Sequence, residues 1–276
     1  MPLVRMLMAA LVLAMIVPLN GAGAAESPGT VLLTGATQGH GLAFAEDYAS
    51  RGWKVIATAR APGDAKDLNA LAARYKDIIT VEQLDITDFA AVDALAAKYK
   101  GVPIDVLNLN GAINSFRLGP RPFGKMDYAW LETVLRTNVT SQLYVAEAFL
   151  ESVAASKKKK IAVMSAVGGS ISGVRNSAAP AYRASKAAVN MLMRAYGEEV
   201  KGRGVAVLII APGTVDVHNY MDAPDLSQVP ERYRRQIELK VLAPRSAIGS
   251  MIDLIDRLTV AEIDKFHQWD GKVLPW

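Results

Sequence analysis

Thr34-Gly35-Ala36-Thr37-Gln38-Gly39-His40-Gly41 is the stretch from which the fold of this 276-residue chain is read. It follows a short apolar run at 31–33 and precedes a helix-patterned segment at 40–50, so its glycines fall at a strand-to-helix junction. Glycine there lets the backbone turn tightly and approach a pyrophosphate, which the helix N-terminus meets with free N–H groups and the positive end of its dipole. A glycine triplet alone is a weak signal; one that opens a strand–helix–strand unit is much stronger.

The pattern continues outward from this junction. Apolar, β-branched runs at 31–33, 54–58, 78–84, 104–109, 161–165 and 205–211 are too short for buried helices and read as strands. Their near-continuous apolar character suits strands buried on both faces, as in a parallel sheet. Between them lie helical patterns at 40–50, 67–75, 88–98, 127–154, 181–201 and 246–258, and 265–269 reads as a last short strand. In the helix from Asp88, that residue suits the N-cap, and Ala91, Leu95 and Tyr99 fall on one face. Alternation of this kind predicts an α/β fold, a doubly wound, mostly parallel sheet with helices on both faces. No linker or repeat interrupts it, so residues 26–276 are expected to form a single domain.

Two further features bear on chemistry. The second strand ends in Ala57-Thr58-Ala59-Arg60, with no carboxylate to accept from a ribose 2′-hydroxyl. Arg60 suits a 2′-phosphate instead, which points to NADP(H) over NAD(H). Tyr182 and Lys186 stand four apart on a predicted helix and project from one face. An ammonium beside a phenol favours the phenolate and lowers the phenol pKa from about 10, making tyrosine usable as a general acid or base.

The spacing T-G-x-x-x-G-x-G resembles the short-chain dehydrogenase/reductase family, and the likeness runs from Thr30 to Trp276. Within that family the runs Tyr182-Arg183-Ala184-Ser185-Lys186-Ala187-Ala188-Val189-Asn190 and Trp269-Asp270-Gly271-Lys272-Val273-Leu274-Pro275-Trp276 resemble the C-factor-like branch. The resemblance implies a Rossmann fold and hydride transfer between a nicotinamide and a small-molecule carbonyl or alcohol. Tyr182 would be the acid/base, Lys186 would hold the nicotinamide ribose, and Asn138 would support a proton-relay water. It places the cofactor against Gly35, Thr37, Gln38, Gly39, His40 and Gly41, Arg60, Asp85 and Ile86 (the adenine position), Asn110 and Gly111, and Pro212, Gly213 and Val215. It also implies a homo-oligomer, dimer or tetramer.

Some family positions are altered. In Met164-Ser165-Ala166-Val167-Gly168-Gly169, counting back from Gly168 makes Ser165 the catalytic serine. Aligning Gly169-Ser170-Ile171 with the branch's Gly-Ser-Ile puts Ala166 there instead, with Ser170 as a weaker substitute. Both registers are open at this level. Leu109-Asn110-Gly111-Ala112 replaces Asn-Asn-Ala-Gly, and Val217 stands where a threonine is usual. These departures favour, as the alternative function, a nucleotide-binding signalling or scaffold protein with little turnover. A sugar epimerase fits poorly, because the glycine spacing differs and no sizeable substrate domain is present.

Composition narrows the rest. A 51% hydrophobic, 21% charged chain can bury a large core. The net charge of +4 is small, and Lys157-Lys158-Lys159-Lys160 reads as a solvated loop, so nucleic acid is not an expected partner. With no cysteine there is no disulfide, thiolate site or cysteine nucleophile, and His40, His218 and His267 have no ligand spacing, so no metal is expected. Residues 217–242 are polar and irregular, in the place of a substrate lid or a surface insertion, with His218 a candidate for the cleft. Arg5, the apolar run 6–17 and Ala22-Gly23-Ala24 have the form of a cleavable export signal over 1–25, implying a periplasmic or secreted protein if genuine and a cytoplasmic one otherwise.

Overall fold

The computed structural model describes residues 27–114 and 123–276. The export signal expected over 1–25 lies outside the described residues. Strands β1 (Thr30–Leu33), β2 (Lys54–Ala59), β3 (Ile79–Gln83), β4 (Val106–Leu109), β5 (Lys160–Met164), β6 (Ala206–Ala211), β9 (Phe266–Gln268) and β10 (Val273–Leu274) form one sheet. Its order is β10-β9-β6-β5-β4-β1-β2-β3, parallel throughout except for β10 against β9. Two short strands, β7 (Thr214–Val215) and β8 (Leu242–Ala243), pair in parallel beside it and were not foreseen.

The helices are α1 (Gly39–Ser50), α2 (Lys66–Arg74), α3 (Phe89–Lys98), α4 (Tyr128–Leu135), α5 (Ser141–Ala148), α6 (Leu150–Ala154), α7 (Pro180–Val200), α8 (Glu231–Glu238) and α9 (Ala247–Arg257). Alternate strand residues bury on opposite faces. Val31 and Leu33 meet Phe44 and Tyr48 of α1, Leu68 of α2 and Ile248 and Met251 of α9. Leu32 and Leu107 face the layer of Leu95 from α3, Val145 from α5 and Met193 from α7. Each large side chain buried in this way contributes about 1.5–3 kcal/mol. This is the doubly wound arrangement expected from the alternating pattern.

Chain order reverses between β1 and β4, and in such sheets the crevice beyond the strand C-termini at that point takes the ligand. Both loops that flank it, after β1 and after β4, carry candidate site residues.

Three local expectations differ from the fold. Residues 217–242, expected to be irregular, contain α8. The helix expected over 127–154 is interrupted: a widened turn at Arg136–Thr140 separates α4 from α5. Side chains occupy carbonyls in this turn, Ser141 Oγ donating to Arg136 O at 2.9 Å and Gln142 Nε2 to Thr137 O at 3.2 Å. The lysine run is not simply a solvated loop. Lys158 pairs with Asp256 and lies 5.2 Å from the Trp53 ring, while Lys160, buried at the start of β5, donates to the Leu258 carbonyl.

Candidate active site

The turn after β1 is held backbone against backbone. Gly35 has φ +67°, and a methyl group on it would stand 2.7 Å from the Gly111 Cα. Asn110 Nδ2 donates to the Thr34 and Gly35 carbonyls, both at 3.1 Å, and Gly111 N donates to Thr34 Oγ1 at 2.9 Å. The loops after β1 and β4 are thus one unit. The swapped Asn110-Gly111-Ala112 order retains close approach because residue 111 carries no side chain.

Gly39 sits at φ +58° with open space where a side chain would be, and Gln38 lends no side-chain cap to α1. An uncapped first turn beside a glycine cradle fits a diphosphate. Thr37 and His40 are half-buried in this turn and Gln38 is exposed. Burial, and secondarily the Lys186 charge, bring the His40 pKa down to about 4, so His40 is neutral at pH 7.

The groups assigned to the nucleoside lie beyond β2 and β3. Arg60 is exposed directly after β2, its carbonyl accepting from Gln83 Nε2 at 3.2 Å. Burial pushes the Asp85 carboxyl up, but Thr87 N and Oγ1, at 2.9 and 2.7 Å, and the charges of Arg60 and Arg136 outweigh it and hold it below the ordinary carboxylate range. Ile86 is buried against Gly111. Across the crevice, Gly213 follows β6 and Pro212 at φ +68°, and Val215 is buried in β7.

Lys186 is 3% exposed on α7, with its Nζ donating to the Met164 carbonyl at the end of β5, 2.7 Å away, and lying 5.7 Å from the Tyr182 ring centre. Burial brings its pKa down to about 8. The expectation that Lys186 lowers the Tyr182 pKa is corrected here: burial pushes the phenol up to about 12, and the ammonium is turned onto a carbonyl.

Asn138 lies in the widened turn, fully buried. Its Oδ1 accepts from Ile113 N at 2.9 Å, and its Nδ2 donates to Ile113 O at 2.8 Å and to Ser185 Oγ at 3.1 Å. Ser185 Oγ donates to the Tyr182 carbonyl at 2.7 Å. Asn138 therefore ties the post-β4 loop to the helix that carries Tyr182.

Ser165 does not take the place expected of a catalytic serine. It is 3% exposed, and its Oγ donates to Asn190 Oδ1 at 2.5 Å. The backbone is extended at Ala166 (φ −159°, ψ 153°), so the next side chain faces the opposite way and is half-exposed. This geometry supports the register in which Ala166 occupies the serine position. Ser170 is buried, accepting from Gly173 N at 3.0 Å and donating to the Trp276 carbonyl at 3.4 Å.

Sequence reasoning missed Asn190, whose Nδ2 also reaches Gly169 O at 3.4 Å, and Gln142, whose Nε2 donates to Gly111 O at 2.6 Å. Both are amides on buried helix faces, four residues after Lys186 and Asn138 respectively, and that spacing was the available signal. His218 packs with Tyr220 and Tyr233, the three ring centres 5.0–6.0 Å apart, in the segment after β7.

Comparison with known proteins places this geometry. The short chain dehydrogenase family model matches residues 29–225. An uncharacterised oxidoreductase of Schizosaccharomyces pombe is 29% identical over 253 residues, 89% of this chain and 96% of its own. The NADPH-bound carbonyl reductase from chicken fatty liver is similar at 26% identity and TM-score 0.77, covering 91% of this chain and 95% of that one. A Burkholderia multivorans short-chain dehydrogenase/reductase with bound NADP is similar at 27% identity and TM-score 0.72, covering 90% and 99%. The chain belongs to the short-chain dehydrogenase family and is an oxidoreductase.

Proposed function

We propose that this enzyme binds NADP(H) across the β1–β4 crevice and interconverts a carbonyl and an alcohol, with Tyr182 as general acid/base. The observation that carries the reading is the buried Lys186 ammonium, lodged between the end of β5 and the Tyr182 ring on the side of the glycine turn. The two nucleotide-bound structures named above support the cofactor assignment.

Bound there, the nicotinamide dinucleotide supplies or takes up the hydride. The chain does the rest. The first turn of α1 and the glycine cradle receive the diphosphate, and Arg60 receives the 2′-phosphate as a charge-assisted pair. Asp85 and Ile86 line the adenine side, and Pro212, Gly213 and Val215 the nicotinamide side. Tyr182 Oη passes its proton to the substrate oxygen in reduction and recovers one from solvent through the Asn138 region. Lys186, with its ammonium beside the Tyr182 ring and on the Met164 carbonyl, would hold the nicotinamide ribose. Asn138 acts as a positioning residue, since it fixes both Ile113 and the backbone at Tyr182.

The test is a reductase assay with NADPH and a carbonyl panel. Tyr182→Phe is expected to abolish turnover while retaining NADPH affinity; full activity in that variant ends the scheme. The binding-only alternative is favoured by one observation, the turning of Ser165 away into the core. It predicts NADPH binding with no turnover of any panel member. A dimer or tetramer is also proposed, because Tyr128 on α4 and Met191 on α7 are 73% and 71% exposed and offer apolar surface to a second copy. A monomer by light scattering at micromolar concentration refutes it.

A further inference from the structure

A carbonyl accepting electrons at its carbon develops negative charge at its oxygen, and donors aimed at that oxygen carry much of the rate enhancement. The serine and lysine side chains at 164–170 and 182–186 are engaged elsewhere. Ser165, 3% exposed, has its Oγ committed to Asn190 Oδ1, 2.5 Å away. Ser170 is held by the Gly173 amide and the Trp276 carbonyl, Ser185 by the Tyr182 carbonyl and Asn138, and Lys186 by the Met164 carbonyl. The half-exposed side chain that follows Ser165 on the open side is the methyl group of Ala166. The turn after it packs directly on α7, with Gly168 against Arg183 and Gly169 against the Lys186 carbonyl.

We propose, resting on the reading of the site given above, that the oxygen site is one donor short, with the Ala166 methyl where a second hydroxyl would stand. The chain is in consequence selective for electron-poor carbonyls, namely aldehydes bearing electron-withdrawing groups and 1,2-dicarbonyl compounds, over unactivated ketones. In the reductive direction NADPH would give up a hydride, one C–H bond breaking on the nicotinamide as another forms at the carbonyl carbon, and would itself be oxidised to NADP+. The C=O π pair moves to oxygen, and the Tyr182 proton completes the O–H bond. With Tyr182 as the side-chain donor that these segments leave uncommitted among the described residues, the substrate's own substituents must spread more of the developing charge. Loss of a single oxyanion donor lowers kcat by about 10²–10³. An electron-withdrawing group offsets that loss, and a plain ketone does not. The turn at 167–169 is Val-Gly-Gly and carries no hydroxyl that could replace the missing donor.

The test uses the full chain, NADPH and two matched series, para-substituted benzaldehydes and acetophenones, on the wild type and Ala166→Ser. The wild type is expected to show a rate that climbs steeply with electron withdrawal and to reduce acetophenones at least a hundredfold more slowly than activated aldehydes. Ala166→Ser is expected to raise acetophenone kcat by about a hundredfold and to flatten the substituent dependence. A second readout needs no turnover: in protein labelled with 13C at tyrosine Cζ, the Tyr182 titration midpoint, assigned with Tyr182→Phe, moves down in Ala166→Ser because the new hydroxyl donates to the phenolate. Equal substituent dependence in the two proteins, or an unmoved midpoint, overturns the inference while leaving the oxidoreductase reading standing. No turnover of any compound by either protein with NADPH bound overturns both.

Discussion

Gly41 lies directly against the Gly35 carbonyl: a methyl group on Gly41 would stand 2.1 Å from that oxygen and 2.8 Å from Asn110 Nδ2. The obstacle is backbone, so the turn itself must shift. Gly41→Ala is therefore expected to weaken NADPH binding more than tenfold and to destabilise the fold by about 1–3 kcal/mol. Gly39→Ala meets no atom but carries a left-handed φ, and its cost should stay near 1–2 kcal/mol. Fluorescence titration and urea denaturation of both variants separate the cases; equal losses would count against the backbone contact.

Arg60 follows β2 with its side chain in solvent. Arg60→Ala should lower NADPH affinity about tenfold, within the range for a hydrogen bond to a charged group, and leave NADH affinity unchanged. The NADPH preference should also shrink as salt rises, because an exposed pair is screened. A parallel loss for both cofactors would remove Arg60 from the 2′-phosphate.

Asn108 in β4 is fully buried among apolar strand neighbours, and neither of its side-chain polar atoms has a hydrogen-bond partner among the described residues. An unsatisfied buried amide costs about 1–3 kcal/mol. Asn108→Val, which keeps the strand shape, is expected to raise the urea midpoint and Tm. An unchanged or lowered Tm would mean that the amide is satisfied in solution, as by a bound water.

Lys186 gives the stability a pH dependence of definite sign. An unfolded lysine holds its proton to about 10.4, whereas burial brings Lys186 to about 8. Between these pH values the unfolded state binds more protons, so stability rises with pH. The full cost of the buried ammonium is present below pH 8, at about 1.4 kcal/mol for every tenfold change in proton affinity. Above pH 10 the elevated Tyr182 acts in the opposite sense, because the folded state keeps a proton the unfolded chain has lost. Lys186→Met should accordingly be more stable than the wild type at pH 7, with the gap reduced by more than half at pH 9.5. Parallel urea midpoints at the two pH values would contradict the burial effect.

Asn138→Ala removes the two hydrogen bonds that fasten Ile113 and the one to Ser185. Amide exchange at Ile113 should accelerate, and kcat should fall more than the NADPH affinity. Conservative Asn138→Asp keeps the acceptor for Ile113 N and should restore part of the Ile113 protection. A mutant with unaltered exchange would dissociate the widened turn from the loop.

The sheet and its crevice were legible because periodicity and glycine chemistry are local: Val31 to Leu33, the glycine turn and the start of α1 declare themselves within twenty residues. The serine register was not legible. Ser165 and Ala166 are neighbours, and only the extended backbone and the Asn190 amide decide which of them faces the open side. The break in the 127–154 helix was equally hidden, since Ser141 and Gln142 reveal their role only when their side chains meet carbonyls five residues back. Likewise the Tyr182–Lys186 spacing gave the shared face correctly and the sign of the phenol shift wrongly, because spacing carries no information on burial.

The covering of α1 by α9 has a consequence for how the chain is made. Arg51, at the end of α1, meets Asp253 across 202 residues, and Ile248 and Met251 close the same apolar layer as Phe44 and Tyr48. At about 5–20 residues per second, α1 waits on the order of 10–40 seconds after its synthesis for its cover. Throughout that interval Phe44 and Tyr48 are sticky surface, so the nascent chain should be a holdase client until α9 emerges, and fragments ending before residue 247 should aggregate rather than fold.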